Sequence, residues 1–267
     1  ANLAKSFYQQ ANNVKLIGVT GTNGKTSVSL FISQLLELSN INNGLIGTLG
    51  ISHLDINTCN TTPDIFTIYK TLEYFAKINI EIAIIEVSSH ALNQNRIAGL
   101  SFEQAIFTNL TQDHLDYHKD MNQYRAAKGK LFSDFNAQTI IVNRDDESHS
   151  YFIEIASTKK VSTYGLDDFT SITSSTNGFI CKLSNYVFEL PLIGKFNLSN
   201  TLAAFASLKS LGFSDKSIIP NLTKLKPPTG RMEKLRNNDI WIDYAHTPDA
   251  LSNALDTIKS HCPKSKL

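Results

Sequence analysis

The stretch Val14-Lys15-Leu16-Ile17-Gly18-Val19-Thr20-Gly21-Thr22-Asn23-Gly24-Lys25-Thr26 decides the fold. Its first half is β-rich and predicts a strand over 14–20. A glycine-rich turn follows over 21–26, and 27–38 carries apolar residues at helical spacing. Strand, loop and helix in that order bring a row of backbone N–H groups and the positive end of a helix to one place, which makes an anion site. Lys25 can set its ammonium between the β- and γ-phosphates of a nucleotide, and Thr26 can ligate magnesium through its hydroxyl. Gly21, Thr22, Asn23, Gly24 and Ser27 complete the candidate loop. Its spacing departs from G-x-x-x-x-G-K-T, with Gly18 one position too early and Gly21 two too late. Gly-Lys-Thr also occurs in ordinary turns; the flanking strand and helix favour the nucleotide.

Working outward, 64–78 places Ile65, Ile68, Tyr69, Leu72 and Phe75 at helical spacing, and 80–87 is a continuous apolar run suited to a strand buried on both faces. Further strands are predicted at 104–107 and 139–143, with a helix at 121–132 between them. This alternation predicts the α/β class, a mostly parallel sheet flanked by helices. Over 160–192, short β-type runs separated by Asp167-Asp168, Thr176-Asn177-Gly178 and Ser184-Asn185 predict a small antiparallel appendage. Helices resume at 197–211 and 215–222. Lys226-Pro227-Pro228-Thr229-Gly230 reads as a linker. A strand at 240–243 and a helix at 248–258 then read as the start of a C-terminal Rossmann-like domain. The division expected is 1–228 and 229–267, with the chain a fragment of a longer protein.

At 267 residues and 42% hydrophobic content the chain can bury a sizeable core, and its formal charge of +1 offers no field for nucleic acid or an acidic membrane surface. Cys59, Cys181 and Cys262 are odd in number and widely spaced, which suits reduced thiols and a cytoplasmic setting. No apolar run reaches the length that spans a bilayer. A small-molecule partner is the expectation.

Gly21-Thr22-Asn23-Gly24-Lys25-Thr26 resembles the nucleotide loop of the Mur ligases and their folylpolyglutamate synthetase relatives. Four further strings select within that group: Thr61-Thr62-Pro63-Asp64, Glu86-Val87-Ser88-Ser89-His90, the run from Asn109 through Asp113-His114 to His118, and Asp243-Tyr244-Ala245-His246-Thr247-Pro248-Asp249. In this order they look like the MurE branch, which adds the third amino acid to the UDP-linked peptidoglycan precursor. The resemblance covers nearly the whole chain. It implies ATP and Mg2+ as cofactors, UDP-N-acetylmuramoyl-dipeptide and an amino acid (meso-diaminopimelate or lysine) as partners, and a monomeric cytoplasmic enzyme of cell-wall synthesis. It also implies an N-terminal UDP-binding domain, which is expected to be absent from this chain.

Residue by residue, the resemblance gives Glu86 and His114 to magnesium and Lys128 to a carbamate formed with carbon dioxide, which would help to hold the second metal. Lys25, Glu86, His114 and Lys128 are thus the catalytic candidates, and Thr26, Glu86, His114 and Lys128 the metal set. Carbamylation requires a neutral amine, so burial or nearby positive charge must lower the pKa of Lys128. Thr61, Thr62, Ser88, Gln94 and Arg96 match substrate-binding positions, Asn197 and Asn200 the adenine segment, and Arg231, Asp243 and His246 residues that close over ATP. Read without the resemblance, Glu86 is equally a solvated strand end, Lys128 a solvated lysine, the threonines a helix cap before Pro63 and Asp64, and Asn197 an N-cap. The mechanism implied is an acyl phosphate, formed from the D-glutamyl carboxylate and ATP and displaced by an amine. Folylpolyglutamate synthesis and nucleotide binding without catalysis are the alternatives.

Overall fold

The computed structural model describes residues 1–54, 56, 58–156, 159–235 and 240–261; Cys262 lies outside the described residues. Seven strands form the main sheet: β1 (Lys15–Thr20), β2 (Asn43–Gly47), β3 (Gly50–Ile51), β4 (Ile82–Glu86), β5 (Ser101–Phe107), β6 (Asn136–Asn143) and β7 (Lys160–Tyr164). Their order is β3-β2-β4-β1-β5-β6-β7. Every neighbouring pair is parallel except β2 with β3.

The parallel sheet follows from the apolar runs: every residue of β4 and all but Lys15 in β1 are buried, so both faces need helical cover. On one face Ile17, Val19, Ile84 and Ile106 pack against Phe31, Ile32 and Leu35 of α2 (Lys25–Glu37) and Leu198 and Leu202 of α8 (Lys195–Ser210). On the other, Leu16, Ala83, Ile85 and Phe107 meet Ile68, Leu72 and Phe75 of α3 (Ile65–Lys77) and Leu131 and Phe132 of α6 (Met121–Ser133). From β1 the chain runs outward to β2, returns to β4, then crosses β1 to build β5, β6 and β7 on its far side. That reversal is a topological switch point, and it opens a crevice beyond the carboxyl ends of β1, β4 and β5.

The remaining α-helices are α1 (Asn2–Phe7), α4 (Ser89–Asn93), α5 (Leu115–His118), α7 (His149–Ile155), α9 (Asp215–Leu222) and α10 (Pro248–His261). Strands β8 (Phe169–Ser175), β9 (Gly178–Leu183) and β10 (Tyr186–Leu190) form an antiparallel sheet, whereas β7 joins the main sheet in parallel. The expected appendage therefore begins at residue 169, not 160. The short pair β11 (Glu233–Lys234) and β12 (Trp241–Ile242) precedes α10. No described helix is long and apolar enough to cross a membrane.

Asp64 sets where α3 begins: Oδ1 accepts from Phe66 N at 2.9 Å and Thr67 N at 3.1 Å, so Asp64, not either threonine before it, is the cap. Replacing Asp64 with alanine is expected to cost about 1 kcal/mol, read as a lower urea midpoint at unchanged slope. An unchanged midpoint would mean that tertiary packing alone fixes this helix end.

Candidate functional site

The candidate phosphate loop spans the end of β1 and the start of α2. Gly24 caps α2 with φ of 86°, and an added Cβ there would lie 2.5 Å from Asn200 Oδ1. Gly21 has φ of 152°, and a Cβ would come within 1.9 Å of Thr108 Oγ1, so both positions exclude any side chain. The loop is tied to the turn after β5. Asn109 Oδ1 accepts from Asn23 N at 2.8 Å, Thr22 N donates to Asn109 O at 2.8 Å, and Thr108 Oγ1 donates to Asn23 O at 2.6 Å. Lys25 Nζ donates to Gly21 O (2.9 Å) and Thr22 O (2.8 Å), curling over its own loop. Burial lowers its pKa, while Glu86 and Asp113 oppose that shift.

Glu86 ends β4 beside this loop and is 3% exposed, so it is no solvated strand end. Thr26 Oγ1 donates to Oε2 at 2.8 Å, Thr48 Oγ1 to the same oxygen at 3.1 Å, and Thr48 N to Oε1 at 2.9 Å. Burial raises its pKa more than these bonds and Lys25 lower it. Gly47 makes room for the carboxylate, since a Cβ there would stand 2.2 Å from Oε1. Thr26 and Glu86 thus present hard oxygen donors side by side, the chemistry magnesium takes. Among the described residues no three His, Cys, Asp or Glu side chains gather as a metal-holding group.

Lys128, on α6, is 1% exposed and donates to Gly21 O at 2.8 Å, so it converges with Lys25 on one carbonyl. Burial, and then the charge of Lys25, holds its amine well below the usual lysine range. The solvated alternative for this residue is excluded. His114 caps α5 at φ of 51°, its Nε2 3.4 Å from Asp113 Oδ2. Burial lowers its pKa against the pull of Asp113. His90 packs edge-on against His114 at 4.7 Å between centroids.

The residues matched to the acyl substrate lie on the β4 side. Thr62 Oγ1 donates to Glu86 O at 2.7 Å and accepts from Ser88 N at 3.0 Å, while Ser88 Oγ caps α4 by accepting from Ala91 N at 3.2 Å. The Thr61 and Thr48 hydroxyls lie 3.1 Å apart, and since Thr48 gives its proton to Glu86, Thr61 is the donor between them. Arg96 donates to Thr62 O at 2.8 Å and through two nitrogens to Gln94 Oε1 at 2.9 and 2.6 Å. These five stand around Glu86 and the start of α4, on one side of the phosphate loop.

On the other side, Asn23, Gly24, Ser27, Phe196, Asn200, Arg231 and Asp243 are among the residues lining a cavity of 130 Å³. A larger cleft of 660 Å³ shares Phe196 and Asn253 with it and runs under Lys195 and Ser174. Asn197 does not cap α8, a place taken by Gly194; its amide donates to Ile193 O at 2.8 Å, and Asn200 Nδ2 donates to Asn197 Oδ1 at 3.2 Å. Arg231 stacks 4.5 Å over the Tyr244 ring. Asp243 holds its own turn by accepting from Met232 N and Ala245 N, each at 2.8 Å. His246 is exposed, with Nε2 3.9 Å from Asp113 Oδ2. Asn23 Nδ2 reaches Asp249 Oδ2 at 3.2 Å, so α10 touches the phosphate loop directly.

Comparison with known proteins matches residues 19–208 to the Mur ligase middle domain, a stretch that holds the loop, Glu86, His114, Lys128 and both asparagines. The chain belongs to the Mur ligase family. It is 37% identical over 281 residues to UDP-N-acetylmuramoyl-L-alanyl-D-glutamate--2,6-diaminopimelate ligase of Pseudomonas aeruginosa, covering 97% of this chain and 56% of the relative. The protein of the same name from Wigglesworthia glossinidia brevipalpis is 39% identical over 290 residues, 99% of this chain and 58% of the relative. The chain thus spans little more than half the length of these curated relatives. A solved structure of such a ligase superposes with a TM-score of 0.82 at 34% identity, over 96% of this chain and 56% of that one. A Mycobacterium tuberculosis folylpolyglutamate synthase superposes at 0.78 with 17% identity over 97% of this chain and 70% of that one, which is a likeness of fold alone.

At this candidate site, sequence reasoning gave no role to Thr48, Thr108 or Tyr124, nor to Asn109, which it named only as the start of a string. Thr48 follows β2, a strand that went unpredicted. Thr108 and Asn109 follow the recognised strand β5, in the turn that holds the glycine-rich loop. Tyr124 carried no signal beyond its spacing of one helical turn from Lys128.

Proposed function

We propose that this chain is the ATP-binding core of a ligase that joins meso-diaminopimelate to UDP-N-acetylmuramoyl-L-alanyl-D-glutamate, with residues 1–228 as the nucleotide domain and 229–267 as the first part of a closing domain. The observation that carries this reading is the pairing of a glycine-cradled Lys25 with a buried Thr26–Glu86 oxygen pair at the switch point of a chain whose relatives bear that name. The site fits its groups: Gly21 and Gly24 leave backbone room for phosphates, and Glu86 is a buried carboxylate in want of a cation. Magnesium, held by Thr26 and Glu86 with His114 and Lys128 nearby, would neutralise charge on the phosphoryl oxygens.

The side chains then divide the work. Lys25 leaves the carbonyls of its own loop to hold the β- and γ-phosphates, Asn200 and Asn197 offer amides to the purine edge, and Arg231 and Asp243 close over the ribose side. Arg96, Gln94, Ser88, Thr61 and Thr62 hold the acyl substrate so that its carboxylate faces the terminal phosphate. Lys128, as a carbamate, would carry the anionic charge that a second cation requires. We place the enzyme in the cytoplasm as a monomer.

Titrating ATP-magnesium with bicarbonate into the chain, then adding UDP-N-acetylmuramoyl-dipeptide or a folylglutamate, tests this reading. Nucleotide binding followed by binding of the muramoyl compound alone is expected. Absence of nucleotide binding, or preference for the folate, would overturn it.

A further inference from the structure

Between the substrate side and the phosphate loop runs a buried line of side chains to which no role has been given above. Tyr124 of α6 is fully buried, and its phenol lies 3.2 Å from Thr22 Oγ1. The Thr22 hydroxyl donates to Thr111 O at 3.1 Å and accepts from Thr111 N at 3.0 Å, which leaves it one lone pair for the phenol to donate into. The Tyr124 ring faces Lys128, whose Nζ is 4.3 Å from the centroid. Its next neighbour is the His118 ring at 5.2 Å. His118 is 4% exposed, and its Nε2 is 2.9 Å from Ser89 Oγ, at the exit of β4.

Phenylalanine would fill the Tyr124 position without burying a hydroxyl, and burying one is unfavourable unless its bond achieves something. Here the bond fixes Thr22, whose neighbour Gly21 presents the carbonyl on which Lys25 and Lys128 meet. We propose that Tyr124 is a positioning residue for the phosphate loop, held in place by His118 and Ser89, so that the exit of β4 and the loop keep a fixed separation. Tyr124, His118 and Ser89 act through Thr22 and Lys128. The inference rests on the nucleotide reading above.

The test is calorimetric titration of ATP-magnesium into the chain and its Tyr124→Phe, His118→Phe and Tyr124→Phe/His118→Phe variants. Tyr124→Phe should weaken binding about fivefold to tenfold, the worth of one buried hydrogen bond. The double variant should bind no more weakly than the worse single one, because the residues form one unit. Ser89→Ala, which removes the hydroxyl that meets His118, should weaken binding in the same direction. A purely structural role would lower the melting temperature and leave the affinity of the folded protein unchanged, and that outcome, or fully additive losses, would overturn the proposal. Failure of the unaltered chain to bind ATP-magnesium would remove the nucleotide reading and this one with it, whereas unaltered binding in Tyr124→Phe removes this one alone.

Discussion

Replacing Lys25 with alanine is expected to weaken ATP-magnesium binding at least about 100-fold, to the point where calorimetry detects no heat above dilution. A charge-assisted hydrogen bond contributes about 1.5–3 kcal/mol, and Lys25 can offer one to each of two phosphates, whereas a hundredfold loss needs only about 2.7 kcal/mol. The folded state should suffer little. Gly21 O keeps Lys128 as a donor, and the lost bond to Thr22 O is only partly buried. The unfolding midpoint of the variant should therefore stay near that of the parent while binding disappears. Affinity within about threefold of the parent would mean that the loop backbone and helix end alone hold the anion.

The glycine-rich loop between a strand and a helix and the parallel sheet were legible because their signals are local. A strand buried on both faces is a run of apolar residues, and β1 and β4 are such runs, so their neighbours on the sheet followed from the alternation of strands and helices. β2 was not legible, since Asn43, Gly44 and Gly47 dilute its apolar character for reasons that lie elsewhere in the chain. Gly44 accommodates the Phe75 ring, and Gly47 the Glu86 carboxylate. β7 was misjudged for the opposite reason. It lies at the sheet edge with only Tyr164 fully buried, so Lys160-Val161-Ser162-Thr163 reads like the half-exposed strands that follow it.

The site divides along the same line. Gly21 to Ser27 form a contiguous motif, so the turn that they build between β1 and α2 can be read from one stretch. The bonds that bring Lys128 to Gly21, Glu86 to Thr26 and Arg96 to Thr62 join residues 107, 60 and 34 positions apart, and spacing says nothing about such pairs. For these the resemblance supplied candidates, and the structure supplies their surroundings. Lys128 alone would have been left on the surface of α6 by its sequence, which offers Arg125 and Lys130 as equally charged neighbours; it is burial that separates them.

That burial leads to the second large effect, on stability and its dependence on pH. The Lys128 amine has a folded-state pKa well below 10.5, chiefly through burial and then through Lys25. Between the two pKa values the unfolded chain binds the extra proton, so stability rises with pH across that window. The penalty is complete below the folded pKa and vanishes above about 10.4. Lys128→Met keeps the length of the side chain and removes the amine. In buffer free of carbon dioxide it should be more stable than the parent at pH 7 by about 1–3 kcal/mol, as when a buried ionisable group gives way to an apolar one. The gain should shrink steadily as urea midpoints are followed towards pH 10. Bicarbonate should then act on the parent alone. The neutral amine forms a bond from nitrogen to the carbon of carbon dioxide and gives up one proton to the buffer, which leaves an anion far from Lys25 in sequence but beside it in space. Labelled bicarbonate should give a carbamate signal in the parent and none in the variant, with the stability gap narrowed. A variant less stable than its parent at pH 7 would mean that the bond to Gly21 O outweighs the cost of the buried amine, and a parent without carbamate would leave Lys128 as a donor to the phosphate loop and nothing more.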